Sequence, residues 1–378
     1  MLVFIDFKAA FDSVNRKSIW KVCYSLGMPN ELLDILKAMY TETFCRIRVY
    51  NSLSRPFAVV SGVRQGSILS PFLFNLIIDW IMRSATSDGQ HGLALDDMVV
   101  TDLDFADDIC LLEDNISDAQ LLLNKVTTKA HQAGLEINVG KTKFCSTSDG
   151  DIDCCGEKLE KVDRFTYLGS SIRLDGDVTD EVRTRIAKAS ANQKRLRSFW
   201  KQKDISHHVK SKIHKVCIRQ PLLYGAETWP VKKSDVARID AFENRCARNI
   251  IDGGYEMKKE ELRTKIGLEP SANVVIKNRR LKWLGHVLRM AEHRMPNASL
   301  EFEKGESWKR PPGGTRTTWR QLVRNDLERY LKPQKMAKFG RKTGSISAKK
   351  PLVIGYNGEH LSETWRAKGS PRNSPKVK

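Results

Sequence analysis

Val99-Val100-Thr101-Asp102-Leu103-Asp104-Phe105-Ala106-Asp107-Asp108-Ile109-Cys110-Leu111-Leu112 is apolar except for a knot of aspartates. Strand, tight turn, strand is the reading that fits, with Asp107-Asp108 at the turn between two apolar strands. Working outward, Leu2-Val3-Phe4-Ile5 is an apolar run ended by Asp6, which puts another carboxylate at the tip of a buried strand. Unpaired carboxylates crowded at such ends repel one another and are pushed towards protonation, and bound divalent cations remove that penalty. Mg²⁺ favours carboxylate oxygens together with substrate phosphates. Two such ions can hold both the attacking and the leaving oxygen of a phosphoryl transfer. Either segment alone reads equally well as strand-end carboxylates capping neighbouring turns.

The segments around this knot alternate short apolar runs with helical patterns. Residues 2–7 read as a buried strand, and 16–27 as a helix. A second helix follows Met28-Pro29-Asn30, with Leu32, Leu33, Ile35, Leu36 and Met39 as its apolar face. Residues 46–49 and 57–60 read as a strand pair around a turn over 51–56. Residues 71–82 form an apolar helix, 119–133 an amphipathic one stopped by Gly134, and 165–172 a strand around Gly169. From Asp180 the pattern changes to basic helices over 182–200, 209–223, 236–251, 281–290 and 319–331. Residues 309–314 make a linker, and 332–378 a disordered basic tail.

The chain has 378 residues, with 64 Lys+Arg against 45 Asp+Glu and a net charge of +19. That length buries a core without disulfide or metal staples, and the charge calls for a polyanionic partner. The excess is uneven: residues 1–150 hold 14 basic and 18 acidic side chains, while 151–378 hold 50 and 27. No leader pattern opens the sequence, and the longest apolar stretch (72–82) is too short to span a bilayer. The eight cysteines include no CxxC pair and read as reduced intracellular thiols, and His207, His208 and His214 near Cys217 read as a solvated helix face.

Five segments in order carry a resemblance: Asp6-Phe7-Lys8-Ala9-Ala10-Phe11-Asp12, Gly62-Val63-Arg64-Gln65-Gly66-Ser67-Ile68-Leu69-Ser70-Pro71, Phe105-Ala106-Asp107-Asp108, Gly134-Leu135-Glu136-Ile137-Asn138-Val139-Gly140-Lys141-Thr142 and Phe165-Thr166-Tyr167-Leu168-Gly169-Ser170. Together they resemble the palm motifs of reverse transcriptases, most closely those of non-LTR (LINE-type) retrotransposons. The similarity continues through Leu223-Tyr224-Gly225-Ala226-Glu227-Thr228-Trp229 and Arg279-Arg280-Leu281-Lys282-Trp283-Leu284-Gly285-His286. Those downstream segments argue against a group II intron-type maturase, which shares the palm motifs.

The resemblance implies an α+β fold. Its parts would be a palm with an antiparallel sheet and packed helices over 1–173, a helical thumb over 174–256, a basic helical region over 257–331, and the tail. It implies an RNA-directed DNA polymerase using two Mg²⁺ ions, with Mn²⁺ as a substitute. Asp6 and Asp107 would hold both ions, with Asp108 beside them and the carbonyl of Phe7 as a further ligand. Phe11 would stand under the sugar of the incoming nucleotide and leave no room for a 2′-hydroxyl; a core aromatic is its plain alternative. Gln65 and Gly66 would line the nucleotide pocket and Lys141 would lie near the triphosphate, unless it is an ordinary solvated lysine. Tyr167, Leu168 and Gly169 would form the hairpin that grips the primer end.

The partners implied are an RNA template, a DNA primer and dNTPs, with no membrane and no obligate protein partner. Lys194, Arg195, Arg197, Lys201, Lys203, Lys210, Lys212 and Lys215 would follow the template–primer phosphates. Trp283, Trp308 and Trp319 would stack on bases or anchor a core. In the family, basic fingers precede the first strand. Met1 stands five residues before Asp6, so the chain is expected to be N-terminally truncated, with weak or absent activity. The alternative is an inactive retrotransposon remnant that only binds RNA or DNA. The expected location is intracellular, with basic residues at 338–342 and 349–350 as a nuclear import signal.

Overall fold

The computed structural model describes residues 1–95, 98–251, 256–301 and 317–328. The expected linker, Trp308, the basic tail and its import signal lie outside the described residues. Helices and short strands are mixed throughout, which makes the fold α+β. Its centre is a five-stranded sheet with Leu2–Ile5 in the middle. That strand runs antiparallel to Lys143–Cys145 on one side and to Asp108–Leu112 on the other. Asp102–Phe105 adds antiparallel at one edge and Glu160–Lys161 parallel at the other. Alternation along the strands decides what each face buries. Val3, Ile5, Ile109, Leu111 and Phe144 pack against helices Arg16–Ser25, Leu69–Ala85 and Ile116–Gln132. Phe4, Cys110 and Cys145 point to the opposite face, where the hairpin of Arg164–Tyr167 and Ser170–Arg173 covers them.

The expected strand over 2–7 ends at Ile5, and Phe7 reaches Ile137 through a single isolated bridge. The apolar helix begins at Leu69, two residues before Pro71, which sits in the first turn where its missing N–H is harmless. The expected strand pair is a ribbon with a tighter end. Phe44–Cys45 pairs with Phe57–Ala58, and Arg48–Val49 with Ser52–Leu53. Tyr50, at φ 50°, turns the chain back at Tyr50-Asn51 rather than across 51–56. Every residue from 44 to 58 is exposed.

A second core gathers Val182, Ala189, Leu222, Trp229, Phe242 and Ile276, and a third Leu281, Leu284, Val287, Val323 and Leu327. Helix 182–200 is broken at Leu196 into Thr179–Arg195 and Arg197–Lys201, and the Trp200 indole N–H donates back to the Gln193 carbonyl at 3.2 Å. Helix 209–223 is three pieces: His207–His214, a π-helical turn Lys215–Arg219, and Gln220–Leu222. Pro221 causes the break. It has no N–H for the carbonyl four residues back, Cys217, which the Asn192 side-chain amide satisfies at 3.0 Å instead.

Two expectations for this half are corrected. His214 is fully buried, not solvated, and burial together with the Arg219 and Lys215 charges holds its pKa down to about 3. Lys210 is buried too, its ammonium donating to the Trp200 carbonyl at 2.8 Å, so it cannot follow a phosphate backbone. Helix 281–290 starts earlier, at Ala272, and takes in Arg279-Arg280. No described helix is long and apolar enough to cross a membrane.

Candidate active site

The sheet register brings the separated carboxylates together. Leu2–Ile5 pairs with Asp108–Leu112 up to Ile5↔Ile109. The pairing ends there, so Asp6 follows the end of one paired stretch and Asp108 precedes the other, near enough for the Asp6 charge to act on Asp108. On the other flank Phe105 pairs with Asp108, so Ala106 and Asp107 alone make the turn. Ala106 has φ 56°, a left-handed conformation that costs a non-glycine residue about 1–2 kcal/mol. The strain sits in the turn that carries Asp107, as strained backbone commonly does where chemistry is placed.

Asp6 is fixed by its main chain. Its N–H donates to Thr142 Oγ1 at 3.2 Å, and its carbonyl accepts from the Asn138 N–H at 2.7 Å. Its Oδ2 is buried with no hydrogen-bond partner, 3.5 Å from the Lys141 ammonium. Burial, then the charges of Asp107 and Asp6, push the Asp108 carboxyl above the ordinary carboxylate range. A buried carboxylate oxygen that accepts no hydrogen bond and, among the described residues, has only the Lys141 ammonium near it, beside two mutually repelling carboxylates, suits a hard divalent cation. As the side chains lie, no group of three ligand-type residues among the described residues encloses an ion.

This predicts a metal- and pH-linked stability. Asp108 binds its proton more tightly folded than unfolded. Without metal, stability therefore falls as pH rises from the ordinary carboxylate range through its raised pKa, and is flat above it. Mg²⁺ at about ten times its dissociation constant should restore about 1.4 kcal/mol at neutral pH and little at pH 4. Calorimetric melting at both pH values checks this. An equal Mg²⁺ shift at the two would contradict it.

Of the expected nucleotide-pocket residues, Lys141 stands against Asp6 and Phe7 follows Asp6 in the chain. Phe7 is buried in the sheet core, while the partly buried Phe11 ring stacks on Phe74 with centroids 4.4 Å apart. The segment from Gly62 is laid along the chain after Phe11: Gly62 N–H bonds to the Val14 carbonyl and Val63 N–H to that of Phe11, each at 2.8 Å. A Cβ on Gly62 would stand 2.6 Å from the Asp12 carbonyl, so only glycine fits. Gln65 donates to both Asp12 carboxylate oxygens, at 3.1 and 3.2 Å. Gly66 needs glycine for its φ of 84° rather than for space. The Lys141 side chain is 68% exposed and faces Asp6.

Tyr167, Leu168 and Gly169 close the second hairpin. Tyr167 pairs with Ser170, and Leu168 and Gly169 take φ 48° and 78°, as a two-residue hairpin turn requires. The Tyr167 hydroxyl donates to the Leu103 carbonyl at 2.6 Å and lies 3.3 Å from that of Asp108. That phenol ties this hairpin to the carboxylate hairpin. Burial pushes its pKa up, so it stays a donor.

Sequence reasoning assigned no role to several residues that shape this site. Thr142, fully buried, holds Asp6; Asp12 holds Gln65; Glu181, Arg185 and Tyr224 hold the second turn. Asp12 lies in the segment 6–12, Thr142 in 134–142 and Tyr224 in 223–229, and that placement is the signal the sequence carries for them. Of the basic residues expected at phosphates, Lys194, Arg195, Arg197, Lys201, Lys203 and Lys212 are exposed or partly so, and Lys215 is half-buried. Trp283 packs on the third core, and the Trp319 N–H donates to the Glu227 carbonyl at 2.7 Å. Both act as core anchors.

Comparison with known proteins adds an independent line. The family model for reverse transcriptase (RNA-dependent DNA polymerase) matches residues 1–172. An uncharacterised transposon-derived protein of Caenorhabditis elegans is 28% identical over 246 residues, covering 60% of this chain and 85% of that protein. The Pol polyprotein of the R2DM retrotransposable element of Drosophila melanogaster is 27% identical over 188 residues, 46% of this chain and 18% of its own length. A probable RNA-directed DNA polymerase from the transposon BS of the same fly is 28% identical over 284 residues, 70% and 30% respectively. The chain thus spans most of the first relative and under a third of the two longer ones. Residues 1–172 are similar to reverse transcriptases, of the kind carried by non-LTR retrotransposons.

Proposed function

We propose that the chain is an RNA-directed DNA polymerase that adds a nucleotide to a primer 3′-hydroxyl against an RNA template. The observation that carries this is the pairing of Leu2–Ile5 with Ile109–Leu112, which brings Asp6 and Asp108 to the ends of neighbouring strands beside the strained Ala106-Asp107 turn. Asp6, Asp107 and Asp108 would hold two Mg²⁺ ions. When bound, these supply the positive charge that activates the 3′-oxygen and neutralises the departing pyrophosphate. The 3′-oxygen attacks the α-phosphorus, its proton leaves, and the bond to pyrophosphate breaks. Lys141, exposed beside Asp6, would sit at the triphosphate. Gln65, braced by Asp12, and Gly66 would line the nucleotide pocket. In this reading residues 1–173 are the palm, 174–256 the thumb and 257–331 the basic helical region, with the exposed lysines and arginines of 194–215 along the duplex.

Primer extension on an RNA template with dNTPs and Mg²⁺ tests the proposal. Template-dependent product that disappears with EDTA is the expected result, and none under any divalent metal would reject it.

Phe11 supplies a second check. Its ring is braced by Phe74 and would close the space a 2′-hydroxyl needs. Phe11→Ala should raise ribonucleotide incorporation relative to deoxyribonucleotide by roughly a hundred-fold, since a sterically excluded hydroxyl is admitted once the wall is removed. An unchanged ratio from competing NTP and dNTP would return Phe11 to its reading as a core aromatic.

A further inference from the structure

The turn at Leu168-Gly169 is held from outside its own hairpin, by residues to which the motifs gave no role. Both of its carbonyls are captured. The Tyr224 hydroxyl donates to the Leu168 carbonyl at 3.2 Å, and an Arg185 terminal nitrogen donates to that of Gly169. The same nitrogen lies 3.5 Å from Ser170 Oγ. Arg185 Nε is paired with Glu181 one helical turn away, and the other Glu181 oxygen accepts the Ser171 N–H at 2.8 Å. The Arg185 guanidinium also lies 4.5 Å over the Tyr224 ring. Glu181 and Arg185 are 2% and 5% exposed, so this ion pair has lost its water and its geometry is stiff.

Such a clamp answers a specific need. Leu168 is a branched residue at φ 48°, where an isolated chain would not stay, yet its side chain is at the exposed tip. At the other end of the turn, Tyr167 is bonded to the carbonyls of the carboxylate hairpin. Arg185 therefore fixes the distance between the helix Thr179–Arg195 and the backbone of Asp108, through the short stretch from Tyr167 to Gly169.

We propose that Arg185, braced by Glu181 and Tyr224, is a positioning residue for the primer terminus. It sets where the Leu168-Gly169 tip stands relative to Asp107 and Asp108, and so where a 3′-end resting on that tip meets the carboxylates. The segment Leu223-Tyr224-Gly225 thereby acquires a role. Gly225 has φ 72°, and a Cβ there would stand 3.3 Å from Ser170 Oγ, so glycine lets the chain pass close by with the Tyr224 hydroxyl on the turn. The inference rests on the polymerase reading, so its test needs a signal that does not depend on turnover.

That signal is photo-cross-linking of a DNA primer with a photoreactive 3′-terminal base, annealed to an RNA template, to the full chain. Wild type should cross-link within Tyr167–Gly169. Arg185→Lys, which keeps the charge but loses the fork, should reduce that product about tenfold. Tyr224→Phe, which removes one hydroxyl from a half-exposed ring and is not expected to unfold anything, should reduce it about threefold. In extension assays the same variants should raise the KM for primer–template by similar factors and leave the KM for dNTP unchanged. A purely structural role would lower all parameters together with the melting temperature. If wild type cross-links at the turn but never extends, the polymerase reading fails and the positioning role stands. If wild type extends but its primer does not cross-link at the turn, or both variants cross-link as wild type does, the positioning role is overturned.

Discussion

Replacing Asp107 by Asn is expected to cut template-directed incorporation roughly a thousand-fold or more while the chain stays folded. Asn has the same shape, so the Ala106-Asp107 turn and its strain are kept; what is lost is a carboxylate charge. The loss acts in opposite directions on activity and on stability. Asp107 is one of two charges that push the Asp108 carboxyl up, so its removal lets Asp108 ionise more readily and relieves repulsion in the metal-free fold. The variant should therefore melt slightly higher than wild type without metal and gain less from added Mg²⁺. Single-turnover extension with a DNA primer on an RNA template, alongside melting with and without Mg²⁺, reads both effects. Extension within about tenfold of wild type would remove Asp107 from the chemistry.

The carboxylate hairpin could be read from the sequence because two apolar strands and a two-residue turn are local. The same holds for the hairpin around Gly169 and the long apolar helix after Ser70-Pro71. What stayed hidden was non-local. The strand Lys143–Cys145 is three residues long and owes its existence to pairing with Leu2–Ile5, far earlier in the chain; the Asp6–Thr142 bond beside it spans 136 residues. The clamp on the second turn joins Gly169 to Arg185 and Leu168 to Tyr224, and neither spacing leaves a periodic trace.

Charge misled in one respect. Of the eight basic side chains expected along the phosphates, Lys210 is buried and bonds to the protein itself, as do Arg185, Arg219 and Arg280, whose place in the fold the sequence pattern did not mark. Long basic side chains can serve as internal struts when a carboxylate or carbonyl meets the head group, and sequence gives no sign of which will do so.

Arg219 and Glu243 show how much rests on such a strut. Glu243 is 1% exposed; one oxygen accepts Arg219 Nε at 2.5 Å and the other accepts the Ala272 N–H at 3.2 Å. Arg219 also donates to the Leu268 carbonyl at 2.7 Å. One carboxylate thus joins the helix Lys233–Arg248, the π-helical turn, and the N-terminus of Ala272–Val287, where a negative charge is favoured. Glu243→Ala should destabilise the fold by about 3–5 kcal/mol, because it strands a buried guanidinium rather than merely deleting a bond. Glu243→Gln should cost less, since its one amide oxygen keeps one of the two bonds, although its amide nitrogen then faces the other donor and the guanidinium charge loses its counter-charge. The double change Arg219→Leu with Glu243→Leu should recover most of the loss, because a buried pair replaced by apolar residues no longer has charges to desolvate. Urea denaturation of the three variants measures these differences, and a Glu243→Ala cost under about 1 kcal/mol would refute the account. The damage should also travel. Helix Ala272–Val287 holds the Leu223 carbonyl through Arg279, next to the Tyr224 that caps the Leu168 turn. Below the unfolding midpoint, Glu243→Ala should therefore raise the primer–template KM before it lowers the amount of folded protein, which ties a buried charge pair in the second core to the primer end.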